Sequence, residues 1–321
     1  MDDGLRVVFF GTPEWAVPTL AALAGSRHRV AGVVTAPDRP RGRSRRPEPP
    51  PVKEFAIDRG LGPVLQPETL RGRANREPIL ALRPDVLVVV AYGKILPGRL
   101  LDAPRLGAVN VHFSLLPRHR GASPVQHAIL AGDRETGVTT MRMDRGLDTG
   151  PILLAERVAV GPREDAARLG ARLAELGAGL LLRTLDRLAA DGLEPRPQPE
   201  DGVTWAPPIT KEMGIVHWDE PAENIDRKVR AFVPWPPVVA RGPKGMIRLV
   251  DVEPLAGERT GARPGTVLRK AGEAVDVAAG EGTVLRVHRV QPAGSRVMPA
   301  AAAVAGRHLE IGGRLEDGGE R

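Results

Sequence analysis

Three polar side chains in this sequence stand where they could work on one reacting group. The run from Gly107 to His112 reads as a strand, and within it Asn110 and His112 lie two residues apart, so both project from the same side. Further on, Asp144-Arg145-Gly146-Leu147-Asp148-Thr149-Gly150 is a glycine-flanked loop between two strand patterns. A carboxylate held there at Asp148 could reach across to His112. An amide donor, an imidazole and a carboxylate together suit acyl-type transfer to an amine. The first two can steady a developing oxyanion, and the carboxylate can help to remove the amine's proton. The same residues have a plainer reading: Asn110 and His112 would satisfy backbone groups at a strand end, and Asp148 would form an Asx turn.

The elements that must position them follow a strand and helix alternation. Leu5 to Phe10 is a short apolar run that reads as a buried strand. After Gly11, Thr12 can cap a helix, Pro13 suits its first turn and Glu14 complements its positive end. Ala16, Val17, Leu20 and Leu23 recur at helical spacing, and Arg29 to Thr35 reads as the second strand. This is the opening of a parallel α/β sheet. The turn after the first strand lacks G-x-G-x-x-G, so dinucleotide binding has no support. Residues 73–82 can form a helix, and Asp85 to Ala91 is a continuous apolar strand of the kind buried on both faces. A helix over 122–131, a strand from Val138 to Met143 and a long helical pattern over 163–191, broken by Gly170, Gly177 and Gly179, complete this part. In an open α/β sheet ligands bind at the carboxyl ends of strands, where Asn110 and His112 lie.

Composition then changes. Residues 194–208 contain Pro195, Pro197, Pro199, Pro207 and Pro208, which predicts a stiff extended connector. Beyond a short helical patch (222–232) and Pro234-Trp235-Pro236-Pro237 come short glycine-punctuated runs at 247–252, 265–268, 274–278 and 283–290. They predict a small antiparallel β-barrel, OB-like in character. The expected fold class is therefore α/β, a Rossmann-like parallel-sheet domain followed by a small OB-like barrel. The expected boundaries are 1–193, a proline-rich linker at 194–209, and 210–321.

Of the 321 residues, 46 are Lys or Arg and 39 Asp or Glu, a net charge of +7 that fits either a polyanionic partner or an Arg-rich proteome. The absence of cysteine excludes disulfides, thiolate metal sites and Cys nucleophiles, and the seven histidines lack metal-ligand spacing, so no metal is expected. The start has no basic n-region, and the apolar run from Val7 to Phe10 is too short for a signal core or a membrane span. A cytoplasmic, monomeric enzyme without a membrane partner is the expectation.

One loop concentrates charge. Arg39, Arg41, Arg43, Arg45 and Arg46 place five arginines within eight residues after the second strand. Such density reads either as a solvated surface loop or as a contact for phosphates and an unpaired base, since it lies at the carboxyl edge of the sheet. Aromatics make up only 3% of residues, so a stacked aromatic platform is not expected.

Asn110-x-His112-x-Ser114-Leu115-Leu116-Pro117, then Arg120-Gly121, then Gly146-Leu147-Asp148-Thr149-Gly150 resembles the signature of the folate-dependent formyltransferase family. Further blocks resemble the branch of that family acting on methionyl-tRNA. They are Phe9-Phe10-Gly11-Thr12-Pro13, Pro37-Asp38-Arg39-Pro40, 91–97 (AYGKILP), Arg230-Ala231-Phe232 with Pro234-Trp235-Pro236, Pro264-Gly265-Thr266, and Gln291-Pro292-Ala293-Gly294. The resemblance covers roughly residues 5 to 314.

It implies transfer of the formyl group of 10-formyltetrahydrofolate to the amino group of an initiator methionyl-tRNA, with Asn110, His112 and Asp148 as the catalytic trio. It further implies folate binding by Ser114, Leu115, Leu116 and Pro117, with residues 86–96 lining the pterin pocket. The arginine loop would engage the tRNA acceptor end, led by Arg43 with Arg41, Arg45 and Arg46. Three positions depart from the family pattern: Ala36 where a polar residue is usual, Trp15 in place of Phe, and Pro208 where relatives often carry Lys, a role that Lys211 could take over. The trio alone also suits another folate-dependent formyltransferase or a formyl-tetrahydrofolate hydrolase, and a non-catalytic RNA-binding module could keep the fold. The arginine loop and the C-terminal blocks favour the tRNA enzyme, and a chain of this length has no room for an added dehydrogenase module.

Overall fold

The computed structural model describes residues 4–40 and 46–319, so Arg41, Arg43 and Arg45 lie outside the described residues. The chain forms two compact units. The first comprises Met1–Val125, Arg134–Val160 and Arg168–Pro207; the second comprises Gln126–Asp133, Gly161–Ala167 and Pro208–Arg321.

The strands of the first unit are β1 (Arg6–Gly11), β2 (Arg29–Val34), β3 (Arg39–Pro40), β4 (Pro47–Glu48), β5 (Val64–Leu65), β6 (Val86–Val90), β7 (Ala108–His112), β8 (Glu135–Arg142) and β9 (Ile152–Ala159). The helices up to residue 189 are α1 (Val17–Ala24), α2 (Pro51–Asp58), α3 (Arg73–Leu80), α4 (Gly98–Leu101), α5 (Pro124–Ala131) and α6 (Ala166–Ala189). The main sheet runs β5-β2-β1-β6-β7-β8-β9. Five strands, β5 to β7 in that order, are mutually parallel, whereas β8 pairs antiparallel with both β7 and β9. The nine-residue connection between β8 and β9 suffices for an antiparallel pair but not for a parallel crossover.

The central strands are apolar throughout because both faces are covered: Val7 to Phe10, Val86, Leu87, Val88 and Val90 are all fully buried. Each such side chain contributes about 1.5–3 kcal/mol on burial. Because β1 lies between β2 and β6, the strand order reverses there, opening a crevice beyond the carboxyl ends of β1, β6 and β7.

Two local expectations are corrected. Thr12 caps no helix: its hydroxyl donates to the Tyr92 carbonyl at 3.2 Å, and a single 3-10 turn (Glu14–Ala16) precedes α1. The pattern over 163–191 is not broken at its glycines, because α6 runs unbroken for 24 residues. A Cβ on Gly170 would stand 2.2 Å from the Trp15 ring, and one on Gly177 would stand 2.8 Å from Val111. These glycines admit close neighbours, and helical packing outweighs their low propensity.

Residues 196–199 and 203–206 lie free of helix on either side of a turn at Asp201–Gly202 (Gly202 φ 81°), and the first unit uses their backbone. Ile152 and Arg196 exchange N–H···O bonds of 2.7 and 2.8 Å. The Arg120 N–H donates to the Thr204 carbonyl at 2.9 Å, and the Ala206 N–H returns a bond of 2.7 Å to the Arg120 carbonyl.

The second unit carries α7 (Ala222–Ala231), β10 (Val238–Gly242), β11 (Gly245–Pro254), β12 (Val267–Ala271), β13 (Ala274–Ala278), β14 (Val284–Pro292), β15 (Met298–Pro299), α8 (Ala300–Ala305) and β16 (Glu316–Asp317). Its sheet runs β12-β13-β14-β11-β10-β16, with β15 on β14, and every pair is antiparallel. Gly312 and Gly313 bond to Val267 of β12, while β16 pairs with β10, so one short segment reaches both edges of the curled sheet. Asp276 is wholly buried in this sheet and is gripped at 2.8 Å by both Arg269 and Arg286. A buried carboxylate needs such complete pairing.

Candidate active site

β7 carries the first two polar residues to the crevice. Val109 and Val111 face one side of the strand, and Asn110 and His112 face the other, as the two-residue period of a strand requires. His112 is 5% exposed. One ring nitrogen, Nε2, lies 2.9 Å from the carbonyl oxygen of His119. A carbonyl only accepts, so Nε2 carries the proton, and Nδ1 is the nitrogen left to exchange one.

Asp148 arrives from the loop between β8 and β9. Its Oδ2 lies 3.7 Å from His112 Nδ1 and accepts the Gly121 N–H at 2.8 Å. Its Oδ1 accepts from Asn110 Nδ2 at 3.4 Å, a long bond that leaves the amide able to turn to another acceptor. Asp148 itself has a left-handed backbone (φ 52°), a conformation that Asp tolerates better than most residues. Its side chain is only 12% exposed. The structure therefore brings Asn110, His112 and Asp148 into one cluster.

The segment after β7 is braced from within. Ser114 is fully buried; its hydroxyl donates to the Arg118 carbonyl at 2.6 Å, and its own carbonyl accepts from Thr139 Oγ1 at 2.7 Å. Thr139 Oγ1 also accepts the Leu116 N–H at 3.1 Å. Leu116 is buried, whereas Leu115 and Pro117 are half-buried. Across the crevice, Tyr92 follows β6, packs edge-on to Phe10 with ring centres 5.2 Å apart, and is pushed by burial up to about 12. Lys94 ties the same loop to the carbonyls of Pro67 and Glu68 at 2.7 and 2.9 Å, and burial holds its ammonium below the usual lysine range.

The base of the arginine loop is well held. Arg39 pairs with Glu48 and Pro40 with Pro47 in the β3–β4 ladder that flanks residues 41–45. Just before it, Asp38 accepts 2.7 Å bonds from Gln66 and from Lys53, which hold its carboxyl below the usual range. Arg46 is exposed in the first unit. Lys211 is exposed in the second unit, ahead of a 3-10 turn over Glu212–Gly214.

Sequence reasoning missed several residues of this site. Gly121, whose N–H anchors Asp148, stood in the quoted Arg120-Gly121 pair but without a role. His119, which fixes the His112 ring through its backbone, is left-handed (φ 60°) and carries no motif signal. Its N–H donates to Thr204 Oγ1 at 2.8 Å. Gln198 and Thr204 sit in the proline-rich stretch, where composition pointed only to an extended chain. Among the described residues, no three His, Asp or Glu side chains gather as a metal site, and no helix is long and apolar enough to cross a membrane.

The chain has relatives among known proteins. Residues 5–185 match the model of the formyl transferase family, and residues 208–308 match that of the formyl transferase C-terminal domain. The chain is 48% identical to the methionyl-tRNA formyltransferase of Halorhodospira halophila, over 96% of this chain and 98% of that one. It is 47% identical to the methionyl-tRNA formyltransferase of Thermus thermophilus, over 97% and 99% of the respective chains. Among solved structures it resembles the fold of WlaRD, a sugar 3N-formyl transferase crystallised in the presence of dTDP and 5-N-formyl-THF, with a TM-score of 0.63 at 15% identity. That match covers 88% of this chain and 97% of the other. With both of its halves matched and its relatives aligned end to end, the chain belongs to the formyl transferase family.

Proposed function

We propose that the protein transfers the formyl group of 10-formyltetrahydrofolate to the amino group of methionyl-initiator tRNA, giving the N-formylated aminoacyl-tRNA used to start translation. It acts in the cytoplasm, as a monomer. The observation that carries this is the meeting of Asn110, His112 and Asp148 at 3.4 and 3.7 Å beyond β7, in a chain that matches methionyl-tRNA formyltransferases along its whole length.

The donor set fits a formyl group approached by an amine. Folate, when bound, supplies the activated formyl carbon. Asn110 Nδ2, turning away from its long bond to Asp148, donates to the formyl oxygen as that oxygen gathers negative charge. Protonated His112 donates to the same oxygen from Nδ1, because Nε2 is already committed to the His119 carbonyl. Asp148 stabilises the imidazolium and accepts the proton that the attacking amine must lose. That proton would go to the folate nitrogen as its bond to the formyl carbon breaks, so that tetrahydrofolate leaves. The bond from Gly121 keeps the Asp148 carboxylate in place while that proton moves.

The remaining assignments complete the reading. Ser114, Leu115, Leu116 and Pro117 form the wall that meets the folate, with residues 86–96 opposite. Residues 1–193 constitute the catalytic domain and 210–321 the tRNA-binding domain, with 194–209 between them. Arg41, Arg43, Arg45 and Arg46 meet the acceptor end, and Lys211 adds a phosphate contact.

The test is an assay of the purified chain with 10-formyltetrahydrofolate and charged initiator tRNA, reading formylmethionine after deacylation. Folate hydrolysis without formylated tRNA, or formylation of an amino sugar in preference to tRNA, would overturn the proposal.

A further inference from the structure

We infer that Gln198 is a positioning residue for the reaction, acting through the backbone of the Asp148 loop. This rests on the reading of Asp148 as proton acceptor. Gln198 Nε2 donates to the carbonyls of both Asp148 and Gly150 at 2.8 Å. Its Oε1 accepts from Arg120 Nε at 3.1 Å and from Arg120 Nη2 at 2.6 Å. The amide orientation is fixed by chemistry, because backbone carbonyls only accept and a guanidinium only donates. Both amide hydrogens and both oxygen lone pairs are thereby used.

What this amide holds is a loop whose functional residue has left-handed backbone. Asp148 is left-handed, a conformation that persists only where its surroundings dictate it. The loop from Met143 to Pro151 is also tied near its tip, through Asp144 to the Gly146 N–H and the Thr149 hydroxyl, and at its start, through the Met143 N–H to the Ala108 carbonyl and through Arg145 to Asp102. Gln198 reaches it from 50 residues away and grips the carbonyls on either side of Thr149. Arg120, its anchor, immediately precedes Gly121, whose N–H binds the Asp148 carboxylate. Gln198 thus fixes the backbone of Asp148 relative to the residue pair that fixes its side chain.

The experiment uses the full-length protein with Gln198→Ala, Gln198→Glu, Asp148→Asn and the two double variants. Gln198→Glu keeps the bulk and the Arg120 contacts but removes both donors, so it serves even if the alanine variant folds poorly. A catalytic group misplaced by about 1 Å can cost on the order of 10² in rate, so turnover at saturating substrates should fall about 10- to 100-fold in either single variant. Affinity for 5-formyltetrahydrofolate should stay within about threefold of the parent, since that wall does not use Gln198. In the Asp148→Asn background the Gln198 substitutions should cost less than about twofold more, because residues acting as one unit are not additive. Turnover of the single variants within about twofold of the parent, or losses that multiply in the double variants, would overturn the inference. If Asp148→Asn alone turns over like the parent, the reading of Asp148 falls and this inference with it. That outcome is distinct because Gln198 is intact there.

Discussion

The carboxylate of Asp148 accepts the backbone N–H of Gly121 at 2.8 Å, across 27 residues of sequence. That bond holds one oxygen beside His112 and leaves the other toward Asn110. A carboxylate anchored in this way can take a proton without swinging out of the crevice.

Asp148→Asn keeps the shape and can still accept from Gly121, but it cannot take the amine's proton. Turnover should fall by about 10²–10⁴, the usual loss for a general acid-base group. The affinity for a folate analogue should hold. Single-turnover kinetics beside a binding titration separate the two, and near-parent turnover removes Asp148 from the chemistry.

Asn110→Ala removes a donor to the developing oxyanion. Loss of one such donor typically costs about 10²–10³ in turnover. Folate binding should change far less. Weakened folate binding with unimpaired turnover would instead make Asn110 a binding residue.

Gly121→Ala meets two obstacles. The position has φ 126°, and a Cβ there would stand 2.5 Å from the Ala206 carbonyl oxygen. Urea unfolding should show a loss of about 1–3 kcal/mol, the range for a non-glycine residue forced into such backbone. Turnover should fall as well, because the Asp148 anchor moves with the backbone. Parent-like stability would mean that the backbone at Ala206 yields at little cost.

His28 gives the fold an acid-side weakness. Its Nδ1 accepts the Leu5 N–H at 3.2 Å, and burial pushes its pKa below the ordinary value despite Asp186 nearby. The unfolded chain takes up this proton near pH 6.5, whereas the folded ring resists it. Between that pH and the lower folded pKa the unfolded state binds more protons, so stability falls as the pH falls. Denaturant midpoints should therefore drop more steeply toward pH 5.5 in the parent than in His28→Gln. Equal slopes would show that His28 carries none of the effect.

Arg43→Ala tests the basic loop. It should raise the KM for charged tRNA and leave folate binding unchanged. Each phosphate contact contributes about −0.7 to −0.9 to the slope of log affinity against log salt. Replacing Arg45 and Arg46 should flatten that slope. An Arg43 variant that handles methionyl-tRNA like the parent at every salt concentration would make the loop a solvated surface.

Much of this could be read along the chain. Continuous apolar runs marked β1 and β6, because strands buried on both faces are apolar at nearly every position. A two-residue spacing put Asn110 and His112 on one face of β7, and the glycine-flanked loop marked where a carboxylate could sit. These signals are local: periodicity and turn chemistry are set by residues within a few positions of one another. The glycines of α6 misled for the same reason, since a helix reads them as breaks until Trp15 and Val111 are seen to occupy the space they leave. Only the tertiary structure decided what surrounds Asp148. Its bonds to Gly121 and Gln198 join residues 27 and 50 positions apart. They depend on how β8 turns back antiparallel to β7 and on how an extended proline-rich segment lies along Arg120. No residue type or spacing encodes that closure, because long-range contacts are selected by the packing of whole elements rather than by the preferences of any one of them.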